Sequence, residues 1–136
     1  MGDLTSEHEP AYVDMMNDAW QDLWPLYGPM HRDPRHPGSY AKADYFFNTF
    51  LPKRLGYLSR QLGEKDTYLG GGRVSVADLH MFLWVHRIGR VCGKFEIFEK
   101  YAPNVLKLYE HLYDQQHVRE YFKPGGKHER IYAYPG

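Results

Sequence analysis

Hydrophobic residues are almost continuous between positions 76 and 91 of this 136-residue chain. They cover more than one face of a helix: Val76, Ala77, Leu79, Met81, Phe82, Leu83, Trp84, Val85, Ile88 and Val91. A helix that is apolar on all sides is typical of a buried helix. At about 17 residues, with Arg87 and Arg90 inside it, the segment is too short and too charged to span a membrane. The pattern predicts a central buried helix over 76–92.

A capping box marks the start of this helix. Ser75 is followed three residues later by Asp78, so the serine hydroxyl and the aspartate carboxylate can satisfy backbone N–H groups of the first turn. The helix is therefore expected to begin at Val76. Val74 and Leu79 stand where a hydrophobic staple would join the chain before the cap to the first turn. Ser75 and Asp78 are interpreted as a structural cap, not as a site.

An amphipathic helix is predicted near the start of the chain. Apolar residues recur at spacings of three and four over positions 12–26, and Pro10 suits a first helical position. The helix is expected to end at about Leu23 or Tyr27. An acidic ridge with steps of four residues lies beside the apolar face: Asp14, Asp18 and Asp22.

Residues 25–39 contain four prolines and two glycines, which predicts a long loop. A long loop in a compact domain often carries function. The next helix is expected to run from a cap at Ser39 to about Leu62, with a kink at Pro52 and an end at Gly63.

The rest of the pattern predicts a short helix over Phe95–Lys100 and a helix opened by Pro103. No strands or repeats are indicated, so the expected fold is all-α, with about five or six helices around the buried helix. Residues 1–9 are interpreted as a lead-in, 10–123 as one domain and 124–136 as a tail.

Composition narrows the classes of partner. The formal net charge is zero and no basic cluster compensates for it, which argues against nucleic-acid and acidic-membrane partners. The single cysteine, Cys92, cannot form an internal disulfide and is expected to be a small core residue. No signal-peptide core and no run of 18 apolar residues is present, so we expect a cytoplasmic protein.

Candidate catalytic chemistry is sparse. No pair among the eight histidines has the flanking cysteine or glutamate that a zinc motif requires, and no Ser/His/Asp elbow is found. His31, Asp33 and His36 are close in sequence, but a solvated loop explains them better than a metal site. The three glycines at 70–72 lack the Gly-Lys-Ser/Thr ending of a phosphate loop and indicate a tight connection. No catalytic residue and no metal ligand is predicted.

Two segments nevertheless resemble a known family. Residues 9–23, EPAYVDMMNDAWQDL, resemble the first helix of the C-terminal domain of cytosolic glutathione transferases in the pi, mu and sigma group. Residues 68–78 resemble that family's glycine-aspartate turn with its capping box and staple. Similar features also occur at Pro52, at Pro103 and at residues 117–122, so the likeness covers roughly 7–123.

The resemblance implies a role in substrate binding and dimerisation. In that family the helical domain supplies part of the electrophile pocket and much of the dimer interface. The position of Asp22 matches an aspartate that reaches the ammonium of glutathione bound in the other subunit; a solvated helix charge is the alternative. Trp24, Tyr27 and Met30 match the region that lines the pocket, with core packing as the alternative.

The family binds glutathione and activates its thiol in a thioredoxin-like N-terminal domain, for which this chain offers no match. The chain by itself is therefore expected to bind no cofactor and to be a poor enzyme. Glutathione is expected as co-substrate and a small apolar electrophile as substrate only in a complete transferase. The expected partners are a second copy or a thioredoxin-like domain. The alternative is a non-catalytic protein–protein interaction module with the same fold.

Overall fold

The computed structural model of the chain describes residues 8–32 and 38–115, and the regular structure of these residues is all helical. The α-helices are α1 Glu9–Gln21, α2 Trp24–Arg32, α3 Gly38–Tyr45, α4 Leu51–Leu62, α5 Val76–Val85, α6 Phe95–Tyr101 and α7 Pro103–Tyr113. A first π-helical segment, Phe46–Phe50, joins α3 to α4, and a second, His86–Val91, extends α5. Counted as continuous rods, the described elements number six, which agrees with the predicted five or six helices.

The capping box at the start of α5 is present as predicted. Asp78 is fully buried, and its Oδ2 accepts hydrogen bonds from the Ser75 N–H at 2.8 Å and the Ser75 hydroxyl at 2.9 Å. Its Oδ1 accepts from the Tyr68 N–H at 3.0 Å. The carboxylate therefore fixes the loop before the helix as well as the first turn.

The central position of α5 is also confirmed, because α1 and α7 both pack against it. Its first turns are less enclosed than the apolar pattern suggests. Val76 is 44% exposed and Leu79 is 53% exposed, and Val74 before the cap is 50% exposed. No helix of the described segments covers this side, so one apolar stripe of α5 lies open.

The predicted loop over residues 25–39 is wrong for much of its length. α2 runs from Trp24 to Arg32, with Pro25 in its first turn, where a missing N–H costs nothing. Tyr27 is 1% exposed and its N–H bonds the Leu23 carbonyl at 2.9 Å, so core packing holds the helix despite its prolines. His31 belongs to this helix by its backbone.

Several predictions fall on residues that the structure leaves out of description. These are the lead-in as far as residue 7, the pair Asp33 and His36, the closing residues 118–122 and the tail 124–136. The side chain of Met30 likewise lies outside the described part, although its backbone is in α2.

The kink predicted at Pro52 takes the form of the first π-helical segment. The Leu51 N–H bonds the Phe46 carbonyl, five residues back. Because proline lacks an N–H and its ring clashes with the carbonyl four residues earlier, a wider turn before it relieves the clash. The rod then ends at Gly63, as predicted, with φ +60°.

The centre of the core is aromatic and is fastened by hydrogen bonds. Trp20 of α1 donates its indole N–H to the Tyr68 hydroxyl at 3.2 Å, and that hydroxyl donates to the Leu58 carbonyl of α4 at 3.2 Å. All three residues are fully buried. These two hydrogen bonds therefore join α1, α4 and the loop that precedes the glycines.

In the described residues no helix is long and apolar enough to cross a membrane.

Candidate functional site

An aromatic cluster joins α2 to α5. The Trp24 and Trp84 rings lie 4.9 Å apart between centroids, and the Tyr27 and Trp84 rings 5.1 Å apart at 90°. Tyr27 also meets Phe46 of the first π-helical segment at 5.6 Å. Trp24 is 43% exposed whereas Tyr27 is buried. The structure therefore brings together two of the predicted pocket residues. The ring of Trp24 is partly exposed, and the buried ring of Tyr27 packs against it.

A cation that the sequence analysis did not single out sits on this cluster. The guanidinium of Arg87, in the second π-helical segment, lies 4.5 Å from the Trp24 ring centroid, 5.2 Å from Trp84 and 5.8 Å from Tyr27. Arginine stacks readily on aromatic faces. In the sequence, Arg87 follows Trp84 by three residues, a spacing that places the two side chains on one face of a helix. The contact of both with Trp24 could not be predicted, because it depends on how α2 packs on α5.

Cys92 ends the second π-helical segment at the edge of the cluster. Its Sγ lies 3.7 Å from the Tyr27 hydroxyl. Burial raises the pKa of the Cys92 thiol, and the Tyr27 hydrogen bond and the charges of Lys94 and Arg87 offset this rise only in part. The thiol is therefore protonated at neutral pH and is a poor nucleophile, which agrees with the predicted role in packing.

The exposed stripe of α5 and the α1 residues beside it form a surface that we call the α1–α5 groove. Three buried side-chain atoms of these two helices have no hydrogen-bond partner within the described residues: Asn17 Oδ1, Gln21 Oε1 and His80 Nδ1. The exposed side chains of Val76 and Leu79 lie on the same side of α5 as His80. Because buried polar atoms are normally paired, this groove has the character of a contact surface.

Asp22 caps the C-terminal end of α1 and lies on the exposed acidic ridge with Asp14 and Asp18. Its Oδ2 is 3.4 Å from Arg54 Nη2, and its side chain is 58% exposed. An exposed ion pair of this length contributes little, about 0–1 kcal/mol. The structure therefore leaves Asp22 accessible to solvent.

A concavity that the sequence-based predictions did not include lies between α6 and α7. It has a volume of about 610 Å³ and is lined by Arg90, Phe95, Glu99, Lys107, Tyr109 and Tyr113, among others. Beneath it, the buried His86 Nδ1 lies 3.0 Å from the Tyr109 hydroxyl. Burial, aided by the charges of Arg90 and Arg87, lowers the pKa of His86 to about 4, and burial raises that of Tyr109 to about 12. Both groups are neutral at physiological pH.

Metal ligation has no support in the part of the chain that the structure describes. Across residues 8–32 and 38–115, no group of three histidine, cysteine, aspartate or glutamate side chains is close enough to hold a metal ion. Of the three loop residues considered as ligands, Asp33 and His36 lie outside those ranges.

Comparison with known proteins identifies the domain. The family model described as "Glutathione S-transferase, C-terminal domain" matches residues 22–125, which is more than half of the chain. The matched range begins at Asp22 and includes the aromatic cluster, the capping box and α7. No curated protein and no solved structure matches the chain. The chain therefore belongs to the family of glutathione S-transferase C-terminal domains.

Proposed function

We propose that this chain is the helical half of a glutathione transferase of the pi, mu and sigma type, active when joined to a thioredoxin-like domain. The assembled enzyme adds the glutathione thiolate to a small apolar electrophile. The helical half provides a wall of the electrophile pocket and part of a dimer interface. The family match supports the domain assignment, and the free thiol of Cys92 suits a reducing compartment such as the cytoplasm.

The single observation that carries the proposal is the open face shared by α1 and α5. It combines half-exposed apolar side chains with buried polar atoms that lack partners: Val74, Val76 and Leu79 with Asn17, Gln21 and His80. A buried polar atom without a partner costs about 1–3 kcal/mol. A second domain that covers the apolar stripe removes that surface from water, and docking that rearranges these side chains pairs the polar atoms.

The aromatic cluster supports the pocket assignment. Trp24 offers a large apolar surface to solvent, and its ring is held edge-on by Trp84 and Tyr27. Apolar ligand sites in proteins are lined mainly by such side chains. In the chain the cluster follows directly on α1, because Gln21 ends α1 and Trp24 begins α2 three residues later. A thioredoxin-like domain docked on the groove therefore brings bound glutathione beside the cluster.

The acidic ridge of α1 supports a dimer in which Asp22 faces the other subunit. In a two-fold assembly the same ridge occurs twice, so an aspartate beside the axis meets a ligand of the partner copy. The long contact to Arg54 is easily exchanged for the ammonium of glutathione. Asp22 then contributes to glutathione binding without taking part in the bond-forming step.

Thiol activation is assigned to the thioredoxin-like domain. A thiol with a pKa near 8.5 is mostly protonated at neutral pH, so conjugation needs a donor that stabilises the thiolate. The 136-residue chain alone is expected to show no conjugation above the uncatalysed rate. Robust turnover by the chain alone, abolished by Asp22→Ala, would contradict this division of roles.

A complementation assay tests the proposal. The purified chain is mixed with a thioredoxin-like domain of a pi, mu or sigma transferase, and the conjugation of glutathione to 1-chloro-2,4-dinitrobenzene is followed by absorbance. We expect activity only in the mixture, together with a complex in analytical ultracentrifugation. Leu79→Arg places a charge on the open stripe and is expected to abolish both signals.

Tyr101→Arg is the matched control. Tyr101 is also a partly exposed apolar residue, 38% exposed, but it lies at the end of α6, away from the α1–α5 groove. Complex formation and activity are expected to survive this change. Equal loss in the two variants, or no complex with any thioredoxin-like domain of the three classes, refutes the proposed docking.

The alternative function is a protein–protein interaction module, and the same exposed stripe of α5 favours it. In that case a partner protein other than a thioredoxin-like domain covers the groove, and neither glutathione binding nor conjugation occurs. Calorimetric titration with glutathione of the mixture, compared with the thioredoxin-like domain alone, separates the two. Tighter glutathione binding in the mixture than in the thioredoxin-like domain alone supports the transferase.

A further inference from the structure

The α6–α7 concavity is a surface that the proposed function does not use. None of its lining residues belongs to the aromatic cluster of α2 and α5 or to the α1–α5 groove. Three aromatic rings line it: Tyr109 lies 5.8 Å from Phe95 and 5.8 Å from Tyr113 between ring centroids. Phe95 and Tyr113 are half-buried, so their rings offer apolar surface to a ligand.

One of these rings is held in place by a cation. The guanidinium of Arg90 lies 4.4 Å from the Tyr113 ring centroid, and its Nη1 donates a hydrogen bond to the Tyr113 hydroxyl at 2.7 Å. Because the ring is already fixed, a ligand that packs on it loses little side-chain entropy there. This part of the concavity is therefore preformed.

Carboxylates outnumber cations around the rings. The concavity is lined by three carboxylates, Glu99, Glu110 and Asp114, and by two cations, Arg90 and Lys107. Glu99 and Glu110 are exposed, and neither forms a salt bridge with another described residue. Aromatic rings with an excess of carboxylates favour a ligand that combines aromatic and basic side chains.

A segment of this composition follows α7 in the same chain. Residues 127–134 have the sequence KHERIYAY, with two cations, one carboxylate, one isoleucine and two tyrosines. In an extended chain alternate side chains point to the same side, so Arg130, Tyr132 and Tyr134 share one face. That face is basic and aromatic, as the concavity requires.

The connection to this segment is long enough to bring it back over α7. Eleven residues separate Lys127 from Gln115, the last described residue, which directly follows Asp114 of the concavity. Residues 124–126 are Pro-Gly-Gly, a composition that favours a reversal of the chain. From Leu106 to Asp114 the helix rises about 12 Å, whereas eight extended residues span about 26 Å. The segment can therefore cover the whole concavity.

We propose that residues 127–134 dock in the α6–α7 concavity of the same chain. The segment runs back along α7, with Tyr132 and Tyr134 on the aromatic lining and Arg130 beside Glu110. Because the segment is tethered, its effective concentration at the concavity is on the order of 1 mM. An affinity of about 0.2 mM for the separate peptide then leaves the segment undocked only about one sixth of the time.

Trypsin cleavage after Lys127 measures this docking. The protease needs an accessible, extended stretch on both sides of the cleaved bond, so the rate follows the fraction of chains in which the segment is undocked. Mass spectrometry compares the rate in the 136-residue chain with that in a synthetic peptide of residues 124–136. We expect cleavage in the chain to be at least about fivefold slower.

Matched variants test the place of docking. Glu110→Arg reverses the charge beside Arg130 and is expected to reduce the protection to less than about twofold. Glu96→Arg makes the same change at an exposed position of α6 outside the lining and is expected to leave the protection unchanged.

Variants of the segment itself complete the set. Arg130→Glu and Tyr134→Ser are each expected to reduce the protection, and Glu110→Arg combined with Arg130→Glu is expected to restore at least about half of it. Each segment variant is compared with a peptide of the same sequence, because a substitution near the bond also changes the rate at which trypsin cleaves the free peptide.

Protection that falls in Glu110→Arg, persists in Glu96→Arg and returns in the double variant supports the proposal. Equal rates in the chain and the peptide, or equal protection in the two glutamate variants, refute it. Protection that grows with chain concentration places the segment on a second copy and also refutes docking within one chain. Arg130→Glu and Tyr134→Ser change no described residue, so they test the proposal even where a thermal melt shows that Glu110→Arg is unfolded. These results are independent of the complementation assay.

Discussion

His86 is expected to make the fold sensitive to mild acid. It is buried beneath the α6–α7 concavity, where its Nδ1 meets the Tyr109 hydroxyl at 3.0 Å and its ring stacks on Phe82. Burial and the nearby Arg90 and Arg87 lower its pKa from 6.5 to about 4. As the pH falls through 6.5, the unfolded chain takes up a proton that the folded chain excludes, so acid favours unfolding.

The magnitude follows from the two pKa values. With 6.5 in the unfolded chain and about 4 in the folded chain, linkage gives a loss of about 2 kcal/mol between pH 7 and pH 5. The loss approaches about 3 kcal/mol below pH 4, where the folded state also becomes protonated. Above about pH 7 this residue adds no pH dependence. A loss of this size is a substantial part of the stability of a typical domain.

Urea unfolding at pH 7, 6 and 5, followed by circular dichroism, measures the effect. His86→Gln removes the titration and keeps a side chain that can hydrogen-bond Tyr109, so its stability is expected to fall by about 2 kcal/mol less than that of the original chain over this range. Carboxylates titrate equally in both proteins and cancel in the difference. His111→Gln, at an exposed position of α7, is the matched control. A pH dependence in His86→Gln equal to that of the original chain would refute the reasoning.

Three further changes test the local structure. Asp78→Asn replaces a buried acceptor of three hydrogen bonds with an amide that can satisfy only some of them. In urea unfolding it is expected to lower the free energy of unfolding by about 2–4 kcal/mol, whereas Ser75→Ala is expected to lower it by about 1 kcal/mol. Gly89→Ala places a methyl group 2.3 Å from the Phe95 ring and is expected to lower the melting temperature, with partial rescue by Phe95→Leu; an unchanged melting temperature contradicts this packing. Tyr68→Phe removes the hydroxyl that joins two helices and is expected to cost about 1–2 kcal/mol, whereas a change below about 0.5 kcal/mol contradicts its role.

The sequence by itself determined the class of fold and several element ends. The cap formed by Ser75 and Asp78, the stop at Gly63 and the start at Pro103 were all predictable and are all present. Each depends on interactions within a few residues of chain, such as a side chain bonding a nearby N–H or a glycine with positive φ. These effects are local and therefore appear as short motifs.

Sequence patterns could not predict the helical state of residues 24–32 or the open stripe of α5. In the first case, the content of proline and glycine predicted a loop. The burial of Tyr27 against Trp84 and Phe46 instead stabilises a helical backbone. In the second case, Val76 and Leu79 resemble core residues in sequence. Their exposure depends on which elements lie beside α5.

The candidate site, too, was predicted in part from the sequence and in part only seen in the structure. Trp24 and Tyr27 were found through the resemblance, and the structure joins them in one cluster. Arg87 was not predicted as a site residue. It contacts Trp24 only because the second π-helical segment, which follows α5, packs beside α2. The sequence determined the helices and their caps, since these depend on neighbours in the chain. The tertiary structure decided the aromatic cluster, its cation and the open groove, because contacts between distant segments exist only after the helices pack.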